Sequence, residues 1–236
     1  MGKRIIQQRR GKGARYLSPS HRFAGAVSYP VKTKENLKGE VIDIINSVGH
    51  STPLMVVKYE DNQTTILPAP IGIRVGQQIS YLGSKPELGS ALQLKNIPLG
   101  SSVYNIEVKP GENGKLLRAS GASAIVLAKE KDKVVVKLPS KKQVKLNLNC
   151  IATIGVAAGS GRKTKPLTKA GNAYHKKKAK NKLVSKVKGV AMNAVDHPHG
   201  KTHRRHRRKS TTVRTVGKSP GQKVGLLAAR KSGRGK

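Results

Sequence analysis

VVVKLPSKKQVKLNL, at residues 134–148, carries the clearest secondary-structure signal in this chain of 236 residues. Val134, Val136 and Leu138 alternate with Val135 and Lys137, and Val144, Leu146 and Leu148 alternate with Lys145 and Asn147. Successive side chains of a β-strand point to opposite faces, so this alternation predicts two strands that share one apolar face. The polar segment at 139–142 is then the turn between them.

Short runs of the same kind continue on both sides of this pair. The predicted strands lie at 41–45, 54–59, 64–67, 79–82, 92–95, 103–108, 124–128, 134–138, 144–148 and 151–156. Asp61 and Asn62 predict a hairpin turn between the second and third strands. Short strands with glycines between them are typical of small antiparallel barrels. We therefore predict a mainly β fold with two tandem modules, at 35–84 and 85–160, between a basic N-terminal arm at 1–34 and a basic C-terminal extension at 161–236.

Charge is distributed unevenly along the chain, whose formal net charge is +37. Residues 1–34 contain nine basic residues and no acid, whereas residues 150–236 contain 24 basic residues and the single acid Asp196. The segment between them holds 15 basic and ten acidic residues. Like charge at this density repels itself in a compact state, so the two ends are expected to order only on a polyanion. Nucleic acid is the partner that this pattern indicates.

Composition also excludes several classes of protein. The single cysteine, Cys150, excludes an internal disulfide framework and favours a reducing compartment. No apolar run approaches the roughly 18 residues of a membrane span, and no hydrophobic leader follows Met1, so we expect a cytoplasmic protein without a membrane partner. With one phenylalanine, six tyrosines and no tryptophan, recognition of nucleic acid should depend on phosphates and shape more than on base stacking.

Beyond residue 160 the pattern becomes helical and strongly basic. Residues 172–187 predict a helix, because Ala179, Leu183 and Val187 recur every four positions. The remaining positions of this segment are rich in lysine, which leaves only a thin apolar stripe. Such a helix would be marginal in free solution.

Four histidines, His197, His199, His203 and His206, crowd into ten residues next to Asp196. Such a cluster can hold a metal or supply a general base. However, neighbouring side chains diverge in an extended segment, and five strongly basic neighbours repel a cation. We therefore predict a rigid polar loop in which Pro198 fixes one dihedral, Gly200 permits close approach, and the histidines donate hydrogen bonds to RNA. A metal-dependent hydrolase that uses these histidines stays as an alternative.

Residues 155–164, GVAAGSGRKT, resemble a phosphate-binding loop that follows a strand. In that motif a glycine directly precedes the lysine, but here Arg162 precedes Lys163. Nucleotide hydrolysis is therefore not predicted. The same backbone amides could still bind a phosphate of a nucleic-acid backbone.

Residues 189–200, GVAMNAVDHPHG, resemble the signature of the universal second protein of the large ribosomal subunit, in its archaeal or eukaryotic-like form. Segments 2–11, 115–122, 152–156, 169–172 and 221–230 are similar to the same family. The resemblance implies an OB-fold barrel followed by an SH3-like barrel, with basic extensions that bind ribosomal RNA near the peptidyl transferase centre. It also implies roles in subunit association and tRNA placement, without enzymatic activity, cofactor or metal. The family's loop histidine falls on His197, as an RNA contact, whereas Lys201 and Thr202 stand where the family usually has glycines.

The predicted RNA contacts combine basic residues of both ends with two loop histidines. They are Arg9, Arg10, Arg15, Lys163, His197, His199, Arg204, Arg205 and Arg208. Planar guanidinium groups suit bidentate binding of phosphate. The expected partners are large-subunit ribosomal RNA and other ribosomal proteins, and a contact with the small subunit is left open. A sequence-independent DNA-compacting protein is the remaining alternative that the charge allows.

Overall fold

The computed structural model describes residues 3–4, 21–31, 36–162, 164–185, 187–197 and 200. The chain divides into two compact units. Ser20–Pro166 forms one unit, here called the β unit. Met1–Pro19 and Leu167–Lys236 form the other, here called the terminal unit.

The β unit contains one continuous sheet of ten strands within the described ranges. These are β1 (Leu37–Ile45), β2 (Leu54–Tyr59), β3 (Thr64–Pro68), β4 (Gln78–Tyr81), β5 (Ala91–Gln93), β6 (Ser102–Tyr104), β7 (Ala124–Lys129), β8 (Lys133–Lys137), β9 (Gln143–Asn147) and β10 (Ile151–Ile154). Their order across the sheet is β3-β2-β1-β4-β5-β10-β6-β7-β8-β9. All neighbouring pairs are antiparallel except β4 and β5, which meet in parallel at Tyr81 and Ala91.

The mainly β fold confirms the predicted fold class, and each predicted strand has a counterpart. The hairpin turn at Asp61 and Asn62 is also confirmed, because Asn62 has a φ of 64° and the Asp61 carboxylate accepts a hydrogen bond from the Gln63 N–H. The prediction at 103–108 was wrong in its second half. The strand stops at Tyr104 because Asn105 turns into the left-handed region with a φ of 49°.

Two hydrophobic clusters lie in succession along the sheet. The first packs mainly under β1–β4, here called the first β module, and includes Leu54, Met55 and Tyr81. The second packs under β5–β10, the second β module, and includes Leu92, Val126 and Val136. The alternating residues at 134–148 supply the second cluster, as their period of two predicts. The residue boundaries of the four predicted domains stay predictions.

Buried tyrosine hydroxyls join the two β modules. Tyr104 Oη donates to the carbonyl oxygen of Pro68 at 2.8 Å. Tyr29, in the segment before β1, donates to the carbonyl oxygen of Asn105 at 2.6 Å and lies 2.8 Å from Oγ1 of Thr153. These bonds connect positions 36 to 124 residues apart in the sequence, so they fix the modules against each other.

Glu107 is a buried carboxylate whose oxygens accept hydrogen bonds from backbone amides. Its Oε2 accepts from the N–H groups of Gly111 at 3.3 Å and Ile151 at 3.0 Å, while Oε1 accepts from Asn113 at 3.1 Å. A carboxylate inside a protein is tolerated when several donors replace its hydration. Glu107 therefore organises the turn that follows it and ties this turn to the first residue of β10.

The terminal unit contains helix α1 (Ala170–Lys178) and a 3₁₀ turn at Gly189–Ala191. The predicted helix at 172–187 was wrong beyond residue 178. The helix ends in a Schellman motif: Lys182 N–H donates to Lys177 O, Asn181 N–H donates to Lys178 O, and Asn181 has a φ of 48°. No helix in the part of the chain that the structure describes is long and apolar enough to cross a membrane.

Candidate nucleic-acid interface

The histidine loop, residues 189–200, folds back on itself through backbone hydrogen bonds. The carbonyl oxygen of Asn193 accepts from the N–H groups of Asp196 at 3.0 Å and His197 at 3.2 Å. The carbonyl oxygen of His197 accepts from the N–H of Gly200 at 2.8 Å. These bonds hold His197 on a compact turn.

Two glycines let this turn close. A Cβ atom at Gly189 would collide with the imidazole ring of His197, so the ring lies directly against the glycine backbone. A Cβ atom at Gly200 would collide with the carbonyl group of Asn193. Gly200 therefore permits a close approach, here of the chain to itself. The half-buried position of His197 follows from this packing.

The N-terminus meets the histidine loop at Lys3. Its N–H donates to the carbonyl oxygen of Val195 at 2.8 Å, and its Nζ lies 3.6 Å from Oδ1 of Asp196. The two side chains are 64% and 48% exposed, so the ion pair itself contributes at most about 1 kcal/mol. Together with the backbone hydrogen bond, this pair fixes Lys3 against the histidine loop. No local sequence signal connects two residues so far apart.

Helix α1 presents a basic surface. No residue of the helix is buried, and its last turn consists of His175, Lys176, Lys177 and Lys178. Cations at this end are favourable because they face the negative end of the helix dipole. Tyr174 is not among the predicted contacts, although an aromatic ring inside a lysine-rich run is a usual sequence signal of nucleic-acid binding.

Among the nine predicted RNA contacts, the structure describes only His197. The other eight, Arg9, Arg10, Arg15, Lys163, His199, Arg204, Arg205 and Arg208, lie outside the described residues and stay predictions. His203 and His206 of the metal-site alternative lie outside them as well. Within the described ranges, no group of three or more histidines, cysteines and acids is placed to hold a metal ion.

The glycine-rich segment 155–164 departs in shape from a nucleotide-binding loop. Gly155 and Gly159 have φ values of 120° and 81°, and the chain then enters a 3₁₀ turn of three residues, Ser160–Arg162, instead of a long helix. A Cβ atom at Gly121 would lie 2.7 Å from Cα of Ser160, so segment 118–122 packs tightly against this turn. Of these two segments, 118–122 belongs to the stretch 115–122 that resembles the ribosomal family.

Burial shifts the pKa values of two side chains in the second β module, Cys150 and Arg118. Burial raises the pKa of the Cys150 thiol, whose Sγ lies 3.6 Å from the carbonyl oxygen of Val108. Because the thiolate is the reactive form of cysteine, Cys150 acts as a small core residue. Burial also lowers the pKa of the Arg118 guanidinium, which donates to the carbonyl oxygens of Gly114 and Val27. Arg118 thereby holds the segment before β1.

Comparison with known proteins identifies the family of this chain. Residues 87–221 match the family model described as Ribosomal Proteins L2, C-terminal domain. Proteins named large ribosomal subunit protein uL2 are 45% identical in Nanoarchaeum equitans, over the full length of both chains, and 44% identical in Methanococcus aeolicus, over 99% of this chain and all of the relative. The protein of that name from Methanothermobacter thermautotrophicus is 43% identical over 99% of both. The resemblance predicted from residues 189–200 is confirmed, and this chain belongs to the uL2 family of large ribosomal subunit proteins.

Proposed function

We propose that this chain binds large-subunit ribosomal RNA near the peptidyl transferase centre, through its basic ends and the histidine loop. In this position it supports association of the two subunits and placement of tRNA. Other ribosomal proteins of the large subunit, and a surface of the small subunit, are its further partners. We also infer a cytoplasmic location.

Family membership supplies the coarser part of this statement. As a member of a family of large-subunit ribosomal proteins, the chain is a structural component of the ribosome and not an enzyme. The hydrolase and DNA-compaction alternatives gain no support from the three relatives described above, which share the same ribosomal name.

The observation that carries the RNA-binding proposal is the lack of a core in the described part of the terminal unit. None of the residues between 167 and 200 whose burial is described is buried, whereas both hydrophobic clusters lie in the β unit. The same segment carries the exposed lysines of α1 and one acid, Asp196. A segment whose described residues include no buried apolar side chain, and whose charges repel one another, needs an external polyanion to stabilise it.

Salt dependence gives this proposal a measurable consequence. Each phosphate contact made by lysine or arginine releases condensed counterions, so log affinity falls by about 0.7 to 0.9 per contact for each decade of salt. Replacing three contacting arginines should therefore reduce the slope of log affinity against log salt by about 2 to 3.

The test compares two triple variants with the same change in charge. In the first, Arg204, Arg205 and Arg208 of the C-terminal extension become alanine. In the matched control, three exposed lysines in or next to the β-hairpin turns, Lys131, Lys133 and Lys142, become alanine. Reconstitution of large subunits and filter binding to large-subunit ribosomal RNA over a series of salt concentrations measure the effect.

The arginine variant should be incorporated poorly into large subunits, and its affinity for the RNA should depend less steeply on salt. The lysine variant should retain most of both properties. If the arginine variant assembled into large subunits with an unchanged slope, the extension would not be an RNA-binding element. A photoreactive residue in place of His197 tests the location. Crosslinks outside the RNA around the peptidyl transferase centre would refute that part of the proposal.

A further inference from the structure

A basic cleft lies between helix α1 and the segment that follows it. Its volume is about 580 Å³, and its walls include Tyr174, Lys178, Asn181, Lys182, Leu183 and Val184. Small-molecule sites in proteins usually measure about 300 to 1,000 Å³, so one nucleotide would fit. The cleft, here called the tyrosine cleft, contains two lysines and no acid among its lining residues.

The helix end builds this cleft. The left-handed conformation of Asn181 reverses the chain, so residues 182–185 run back beside the last turn of α1. Lys177 Nζ donates to the carbonyl oxygen of Val184 at 2.7 Å and holds the returning segment in place. The two walls are thereby connected by hydrogen bonds as well as by the chain itself.

Tyr174 differs from the other described tyrosines in its exposure. Its side chain is 44% exposed, while Tyr29, Tyr59, Tyr81 and Tyr104 are at most 4% exposed. Lys178 Nζ lies 5.8 Å from the centroid of the Tyr174 ring, and the His175 ring meets it edge to face at 5.3 Å. These contacts hold the ring in place, with a positive charge next to its face.

We propose that the tyrosine cleft binds one unpaired RNA nucleotide, whose base stacks on Tyr174 while Lys178 and Lys182 bind the flanking phosphates. Leu183 and Val184 form the apolar wall beside the base. Every base has a π face, so stacking of this kind tolerates sequence. A base paired in a duplex cannot reach the ring, which restricts the ligand to a loop, bulge or end. This inference rests on the proposed RNA-binding function and adds a binding site to it.

The test separates stacking from charge by means of two probes. A decamer of uridine and an abasic decamer carry the same phosphates, and only the first has bases. Their affinities for the full chain, measured by fluorescence anisotropy, give a ratio from which the shared phosphate contribution cancels. Tyr174→Leu removes the π face, and Tyr174→Phe keeps it as the matched control. Leucine forms helices at least as readily as tyrosine, so α1 should persist, which circular dichroism checks.

The unchanged chain and Tyr174→Phe should prefer the uridine decamer by about 5- to 150-fold, the usual effect of one stacked base, and Tyr174→Leu should abolish this preference. An equal preference in Tyr174→Leu and the unchanged chain would overturn the proposal. A third probe is a decamer of glutamate. If the unchanged chain bound it tightly and Tyr174→Leu weakened that binding, the proposal would also be overturned, because the cleft would then bind an acidic protein partner. If the unchanged chain bound neither decamer nor large-subunit ribosomal RNA, the proposed function itself would fail.

Assembled subunits provide a second measurement. Large subunits that contain Tyr174→Leu should show increased chemical reactivity at one unpaired nucleotide, relative to subunits with Tyr174→Phe. An identical reactivity profile over the whole RNA would overturn the proposed stacking, even if the variant assembled normally.

Discussion

Replacing Tyr29 by phenylalanine should destabilise the whole β unit, although the change removes a single oxygen atom. Tyr29 is 4% exposed, and its hydroxyl group connects the segment before β1 with two residues of the second β module. It donates to the carbonyl oxygen of Asn105 at 2.6 Å and makes a hydrogen bond with Oγ1 of Thr153 at 2.8 Å. Phenylalanine keeps the ring, so the packing beside Tyr81 is preserved.

The magnitude follows from what the lost oxygen leaves behind. A neutral intramolecular hydrogen bond contributes about 0.5 to 1.5 kcal/mol net, and a buried polar group without a partner costs about 1 to 3 kcal/mol. Tyr29→Phe removes two hydrogen bonds. The buried carbonyl oxygen of Asn105 and the buried hydroxyl of Thr153 each lose the tyrosine as a partner. We expect a loss of about 2 to 4 kcal/mol, a large fraction of the roughly 5 to 15 kcal/mol that stabilises a typical domain.

Urea denaturation of the full chain, followed by far-ultraviolet circular dichroism, measures this loss. The midpoint should fall while the m-value stays constant, because the surface exposed on unfolding is the same. Tyr104→Phe is the control: it removes one buried bond, to Pro68, and should cost about half as much. Adding Thr153→Val to Tyr29→Phe should recover part of the loss. A change below about 0.5 kcal/mol in Tyr29→Phe would refute the idea that this hydroxyl joins the modules.

Two further predictions concern the buried phenols and the histidine loop. Burial raises the pKa of Tyr59 to about 12, above the value of about 10 in an unfolded chain, so its contribution is intact below pH 10 and is lost between about pH 10 and 12. In that window the free energy of unfolding should fall by about 1.4 kcal/mol per pH unit for each such tyrosine. Equal urea midpoints at pH 9 and pH 11 would contradict this prediction. Gly189→Ala places a Cβ atom where the His197 ring lies, so the ring must move, and binding to ribosomal RNA should weaken roughly 5-fold, the effect of about 1 kcal/mol. Gly171→Ala, with open space around it, should leave binding unchanged in the same filter-binding assay.

The strands could be predicted because their signal is local. Alternation with a period of two at 134–148 reports directly which side chains face the core, and Asp61 with Asn62 marks a turn for reasons of local backbone chemistry. The side chains that join distant parts of the β unit carry no such signal. Tyr29 reaches Asn105 and Thr153, 76 and 124 residues away, and nothing near Tyr29 in the sequence indicates either partner.

The error in the predicted helix has a specific cause. A stripe of Ala179, Leu183 and Val187 fits a helical period, but it is too thin to offset the repulsion of the surrounding lysines. Asn181 lies inside the predicted segment, and asparagine is a residue that readily adopts the left-handed conformation of a helix cap. The cap therefore ends the helix at Lys178, and the sequence contained the signal for it.

Glu107 shows why a buried charge is hard to identify in advance. It lies within the apolar run 103–108, where an acid would ordinarily indicate the outer face of a strand. The left-handed turn at Asn105 ends the strand, so the Glu107 side chain points inward and its carboxylate meets three backbone N–H groups. Only the tertiary structure decides that these donors converge, so neither periodicity nor composition predicts the role of this residue.

The two units obtain their stability in different ways, and this difference connects the fold with the function. The β unit is stabilised by its own interior, through two hydrophobic clusters, the tyrosine hydroxyls and the amides around Glu107. The described part of the terminal unit has backbone caps, a two-part contact at Lys3 and many exposed lysines, but no buried residue. Hydrogen bonds that close a loop define its shape, whereas burial supplies most of the free energy that holds a shape in water. The histidine loop and the tyrosine cleft therefore have a shape encoded by the chain, and under the proposed function the phosphates and bases of ribosomal RNA supply the stability that burial does not.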